Sequence, residues 1–161
     1  MSVTQVKPAD DARGLRFRIV AAQWNEVIVT RLVDGALATL AAQGASGEHV
    51  EVWWVPGSYE LPLAARWALD TPLASRPPDA VIALGCVIRG ETEHFRLVAD
   101  SAAQGLMRVA LDSGAPVLNG VIAAYDTSQA VSRSGGEHGN TGSQVALAAV
   151  RMARLRPAGT R

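Results

Sequence analysis

Residues 80–94 read Ala-Val-Ile-Ala-Leu-Gly-Cys-Val-Ile-Arg-Gly-Glu-Thr-Glu-His, and the break inside this stretch decides the fold. The near-continuous apolar run from Ala80 to Ile88 is the pattern of a strand buried on both faces of a parallel sheet. The run stops at Arg89-Gly90, and helical spacing then predicts a long helix from Thr92 to Ser113, with Leu97, Val98, Ala102, Leu106, Val109 and Ala110 as its apolar stripe. Gly114 and Pro116 end that helix. A strand that turns and restarts as a helix leaves backbone N–H groups free to receive an anion. His94 stands within one helical turn of them, at the carboxyl edge of the sheet, where open α/β folds collect ligands.

The same alternation extends in both directions. Arg16–Ala22 is predicted as a strand, followed by Gln23-Trp24-Asn25, with Asn25 as the cap of a helix whose apolar positions run from Val29 to Ala41 and which ends near Gly44. Val50–Val55 is a second strand stopped by Pro56-Gly57, and Tyr59–Leu69 a helix that tolerates Pro62 in its first turn. A loop over Thr71–Asp79 leads to the strand already described. Val117–Ala124 is a fourth strand, Thr127–Arg133 a short helix, Ser134–Gly142 a glycine-rich turn and Ser143–Arg154 a last helix. Strands alternating with helices predict a four-stranded parallel sheet with helices on both faces. Residues 1–161 are expected to form a single domain, with residues 1–14 as an arm and 156–161 frayed.

Composition narrows the partners. Fifteen Lys plus Arg balance fifteen Asp plus Glu, so net charge suggests neither nucleic acid nor an anionic membrane. No window reaches the roughly 18 uncharged apolar residues of a membrane span, and the polar amino end lacks the apolar core of a signal peptide. The single Cys86 cannot form an intramolecular disulfide, which fits a reducing compartment. The expected setting is the cytoplasm.

In a parallel sheet the strand ends point one way. Trp24-Asn25, Gly57-Ser58-Tyr59-Glu60 and Arg89 to His94 should therefore meet at one edge, with Asn119 near it. His94 offers an imidazole, which accepts and releases protons near neutrality; the alternative is a solvated surface histidine. Gly90-Glu91-Thr92 could cradle phosphate through backbone amides, or could be an ordinary helix start capped by Thr92. Arg133 could supply a cation to that phosphate or simply sit in solvent. Trp24 and Tyr59 could stack on a flat ring or fill a subunit contact, and Glu60 could accept hydrogen bonds from a polyhydroxyl or imide ligand or only favour a helix start. Of Trp53 and Trp54, which alternate across a strand, one should face the core and the other a neighbour. His49 and His138 read as surface residues.

Taken together these segments resemble the 6,7-dimethyl-8-ribityllumazine synthase family. The motifs stand as Trp24-Asn25-Glu26, the run Val55 to Pro62, the run Ala83 to Phe95, Asn119-Gly120-Val121, and Gln129-Ala130 with Arg133, spread from Phe17 to Ala153. The resemblance implies a three-layer, flavodoxin-like α/β fold. It implies a transferase of riboflavin biosynthesis that joins 5-amino-6-(D-ribitylamino)uracil to 3,4-dihydroxy-2-butanone 4-phosphate, releasing phosphate and water, with no metal or organic cofactor. Carried onto this sequence, it has Trp24, Ser58, Tyr59, Glu60, Cys86, Val87, Ile88 and Asn119 hold the pyrimidine and its ribityl chain. Glu91 and Thr92, through backbone amides, and Arg133 would hold the phosphate, and His94 would move protons. It further implies homopentamers in which one subunit contributes its aromatic and Glu60-type residues and the neighbour its phosphate side and the Asn119 region, sixty-subunit shells in some members, and riboflavin synthase as a candidate partner.

Two positions depart from the family's pattern. Gly139-Asn140-Thr141-Gly142 stands where Gly-Asn-Lys-Gly is common, and Ser132 replaces a frequently acidic residue. The missing cation at Thr141 implies weaker binding of the phosphorylated substrate. A non-catalytic relative that keeps the pocket or the cage is the rival expectation. Gly135 to Asn140 is similar to the short turn of shell-forming members, with Glu137 where lysine is usual.

Overall fold

The computed structural model of the chain describes residues 3–157 and Gly159. Four strands, β1 (Phe17–Ala22), β2 (Val50–Val55), β3 (Ala80–Ile88) and β4 (Val117–Ala124), form one parallel sheet in the order β2-β1-β3-β4. Helices α1 (Glu26–Ala42), α2 (Leu61–Asp70), α3 (His94–Ser113), α4 (Thr127–Arg133) and α5 (Thr141–Leu155) connect and follow them. Between α4 and α5 the chain makes a small antiparallel ribbon of β5 (Ser134–Gly136) and β6 (Gly139–Asn140). The architecture is the expected three-layer, flavodoxin-like α/β fold.

Side-chain alternation assigns the two faces. Phe17, Ile19 and Ala21 of β1 and Ile82, Leu84 and Cys86 of β3 pack with α1 and α5, whereas Val20, Val81 and Ala83 pack with α2 and Leu106 of α3. The central strands β1 and β3 are almost fully enclosed, which is why their sequences are apolar on both faces. Arg18 is the exception among them. Its guanidinium is buried, bonds Glu51 on β2, donates to the carbonyls of Ala68 at 3.1 Å and Thr71 at 2.9 Å, and stacks with Cζ 4.3 Å from the Trp53 ring centroid. Trp53 is thereby half-buried on the α2 side while Trp54 is exposed, the split expected of neighbouring strand residues.

Close packing of α1 on α5 depends on Gly142, where a Cβ would run into the backbone carbonyl of Leu32. Asn140 caps α5, accepting from Ser143 N–H at 3.1 Å, and its Nδ2–H donates to Arg31 O at 2.8 Å. The last helix therefore starts at Thr141, two residues before the expected Ser143. The glycine-rich turn is the β5–β6 ribbon.

Two further boundaries and one cap differ from the sequence reading. Tyr59 does not begin a helix; Ser58–Glu60 forms a short 3-10 turn, and α2 starts at Leu61, where Pro62 sits without an unsatisfied donor. α3 starts at His94 rather than Thr92, because Thr92 Oγ only accepts from His94 N–H at 3.4 Å and does not extend the helix. Asn25 precedes α1 but does not cap it with its side chain; it adopts a left-handed conformation, φ 59°, that asparagine tolerates.

The amino-terminal segment is tied to α5. Arg151 pairs with Asp10 at 2.6 Å, and Arg154 donates to the carbonyls of Asp11 and Arg13, both at 2.7 Å. The expectation for residues 1–14 falls at Met1 and Ser2 outside the described residues, as does that for 156–161 at Ala158, Thr160 and Arg161. Among the described residues no helix is long and apolar enough to cross a membrane.

Candidate active site

The turns that follow β1, β2 and β3 are bound to one another, and a crevice opens between them. Gln23 N–H and Trp24 N–H donate to the carbonyls of Val55 (2.8 Å) and Pro56 (3.3 Å), which fixes the turn after β1 against the end of β2. Asn25 Nδ2–H donates to Cys86 O at 2.9 Å and ties the same turn to β3. This is why the asparagine does not serve as a cap: its side chain is spent on the carbonyl of the neighbouring strand. Gly57 allows the site to close, since a Cβ there would meet Glu60 Oε2 at 3.0 Å and Trp24 Cδ1 at 3.1 Å.

The resulting cavity is about 520 Å³ and lies at the carboxyl edge of the sheet, walled by the end of β3 and the first turns of α3. Trp24, Ser58, Tyr59, Glu60, Cys86, Val87, Ile88, Thr92 and His94 all line it, so most residues singled out in the sequence come together within one chain. Asn25, Gly57, Gly90, Phe95 and Val98 line it as well. Phe95 and Val98 belong to the first turns of α3, and their wall position was available from helical spacing, since 94, 95 and 98 share a face. Reading Val98 as core stripe concealed it.

Polar groups converge on this cavity without being consumed by it. Ser58 Oγ is buried and has no hydrogen-bond partner among the described residues. Such a hydroxyl is costly unless a ligand or water completes it. Trp24 and Tyr59 are 73% and 63% exposed, so their faces are available for stacking on a planar guest. Burial pushes the Cys86 thiol up to about 11. It is neutral at physiological pH and forms part of the wall instead of acting as a nucleophile.

Three predicted residues lie elsewhere. The Glu91 side chain is exposed between Gly90 and Thr92, which flank it in the lining. Arg133, at the end of α4, is exposed and donates to Gln129 O at 3.2 Å, outside the lining. Asn119 does not lie near the crevice of its own chain, as its place in β4 shows. It pairs with Ala83, whereas the end of β4, Ala124, pairs with Ile88, so Asn119 sits about 16 Å back along the strand from the crevice edge. A residue early in a parallel strand lies near the opposite edge of the sheet from a strand's last residue. Thr141 opens α5 and does not line the cavity either.

A family profile described as 6,7-dimethyl-8-ribityllumazine synthase matches residues 14–157. A protein of that name from Stenotrophomonas maltophilia (strain K279a) is 50% identical over 141 residues, covering 87% of this chain and 88% of the relative. Another from Xanthomonas euvesicatoria pv. vesicatoria (strain 85-10) is 46% identical over 140 residues with the same coverage, as is one from Xanthomonas campestris pv. campestris (strain B100).

Proposed function

The chain belongs to the 6,7-dimethyl-8-ribityllumazine synthase family, and from that premise we propose that it condenses 5-amino-6-(D-ribitylamino)uracil with 3,4-dihydroxy-2-butanone 4-phosphate, releasing phosphate and water, in riboflavin biosynthesis. One observation carries the reading: an exposed indole, a carboxylate, an anion-receptive turn and an imidazole line a single cavity at the strand ends.

Each group has a task that its chemistry suits. Trp24 stacks on the pyrimidine, while Glu60 and the unpartnered Ser58 hydroxyl bond the ribityl hydroxyls. The backbone amides of Gly90 to Thr92 face the phosphate, so the acidic Glu91 side chain is turned to solvent and does not oppose the anion. His94 takes and returns protons as the imine forms, phosphate leaves and the second ring closes. The uracil amine is already a nucleophile and the ketone already carries its leaving group, so alignment supplies much of the rate.

Asn119 and Arg133 can serve such a crevice only when it belongs to another copy of the chain. In keeping with the family resemblance, the proposal includes a homo-oligomer, a pentamer at least, in which Asn119 of β4 completes the neighbour's pyrimidine side and Arg133 of α4 its phosphate side. Thr141 leaves that side one cation short, and a raised KM for the butanone phosphate follows; Thr141→Lys should lower it several-fold in steady-state assays.

Mixing the purified chain with both substrates and following lumazine fluorescence over the uncatalysed background tests the reaction directly. A rate above background is expected, and background alone would mean a non-catalytic relative that keeps the pocket. Light scattering tests the assembly, where a monomer that is nonetheless active would overturn the shared site.

A further inference from the structure

We propose that Tyr125 is a positioning residue whose ring brackets the turn between β3 and α3, holding the Gly90–Thr92 amides and His94 in the arrangement that receives the phosphorylated substrate. The inference rests on the reaction proposed above for its substrate, and on geometry alone for the bracket.

The ring touches the chain just before and just after the turn. Arg89 places its Cζ 5.8 Å from the Tyr125 ring centroid, and Phe95 meets the same ring edge-on, with centroids 6.1 Å apart and planes at 61°. Everything between these two contacts is the anion turn and His94. That turn has little else to fix it. Glu91, Thr92, Glu93 and His94 are exposed, a Cβ on Gly90 would meet open space, and the link from His94 N–H to Thr92 Oγ is long at 3.4 Å.

Tyr125 itself is well anchored. Its backbone N–H donates to Gln129 Oε1 at 3.0 Å, Asp126 caps α4 by accepting from Gln129 N–H at 2.8 Å, and Arg89 N–H donates to Ala124 O at 2.9 Å. The bracket thus hangs from α4 and the end of β4, not from the turn it restrains. Tyr125 is 65% exposed, so its ring contributes little to the core, and its aromatic and cation–π contacts are with residues flanking the anion turn. Amides held ready for an anion cost no reorganisation when it arrives, and a loosened turn would lose affinity on that side of the site first.

The test compares Tyr125→Ala, Tyr125→Phe and Arg89→Gln with the unmodified chain, each checked for secondary structure and assembled mass. Tyr125→Ala should raise KM for the butanone phosphate by about three- to tenfold, leave KM for the ribitylaminouracil within about twofold, and weaken inorganic phosphate binding by a similar factor in calorimetry. Tyr125→Phe keeps the ring and should stay within about twofold of the unmodified chain. Arg89→Gln should shift the same constants in the same direction but less. Unchanged phosphate-side constants in Tyr125→Ala, an equal rise in both KM values, or failure of Tyr125→Phe to rescue would overturn the bracket. If the unmodified chain makes no lumazine, the proposed reaction fails while the phosphate titration still decides the bracket.

Discussion

The two faces of the sheet are finished to different degrees. On one, α1 buries Ile28, Val29, Leu32, Val33, Ala36 and Leu40, and α5 meets it through Gly142 at backbone distance. On the other, the 20 residues of α3 fully bury only Ala102 and Leu106, and Leu63, Trp67, Leu97, Met107 and Leu111 of α2 and α3 remain exposed. The first turns of α3, on this second side, wall the cavity. The first face is the more fully buried, whereas α2 and α3 on the second leave several large apolar side chains exposed, and α3 borders the cavity. A second copy covering that surface, as in the proposed oligomer, removes the imbalance.

The contrast can be broken most severely from the finished side. Gly142→Ala forces α1 and α5 apart at Leu32, and a loss of about 3 kcal/mol in urea unfolding is expected; a loss below about 1 kcal/mol would show that this face is not closely locked. His94→Ala acts only on the unfinished side. Because alignment supplies much of the rate, turnover should fall by roughly ten- to a hundredfold, with the fold and assembled mass unchanged; abolition of all detectable activity in an assembled variant would contradict the positioning account. Leu111→Glu should leave the circular dichroism of the chain intact but lower its assembled mass in light scattering. Retention of full mass would place the subunit contact elsewhere.

The smallest effect belongs to the amino-terminal segment that docks on α5. The Arg13 side chain, bonded to Asp11, holds that carboxyl near 2, against an ordinary 3.8. The folded chain thus binds this proton more weakly than the unfolded one, so the contribution is present in full above about pH 4 and is lost as pH falls toward 2. Asp11→Asn should flatten the acid limb of the urea midpoint plotted against pH. An unchanged limb would mean that other carboxylates dominate it.

Much of this was legible in the chain itself. The run Ala80–Ile88 could only be an interior parallel strand, and the break after it located the crevice because parallel strand ends must share an edge. The expectation of Asn119 near the crevice of its own chain failed for a reason also present in the sequence, since the third residue of an eight-residue strand belongs nearer the amino edge. Asn25 could not be settled that way: an asparagine before a helix has both a capping and a bridging use, and only the position of Cys86 O decides between them. The aromatic contact of Tyr125 with residues 89 and 95 depends on how two loops approach in space, which no local pattern encodes.

Arg18 has a consequence for how the sheet finds its alignment. Its guanidinium reaches the carbonyls of Ala68 and Thr71 at the end of α2 and the Glu51 carboxylate only while β1 keeps its present pairing with β2 and β3. Sliding β1 by one residue would rotate the cation to the opposite side, among Leu32, Leu40 and Ile82, with nothing to solvate it. One charge placed inside an otherwise apolar strand thus acts as a proofreader, making misaligned sheets too unfavourable to persist during folding.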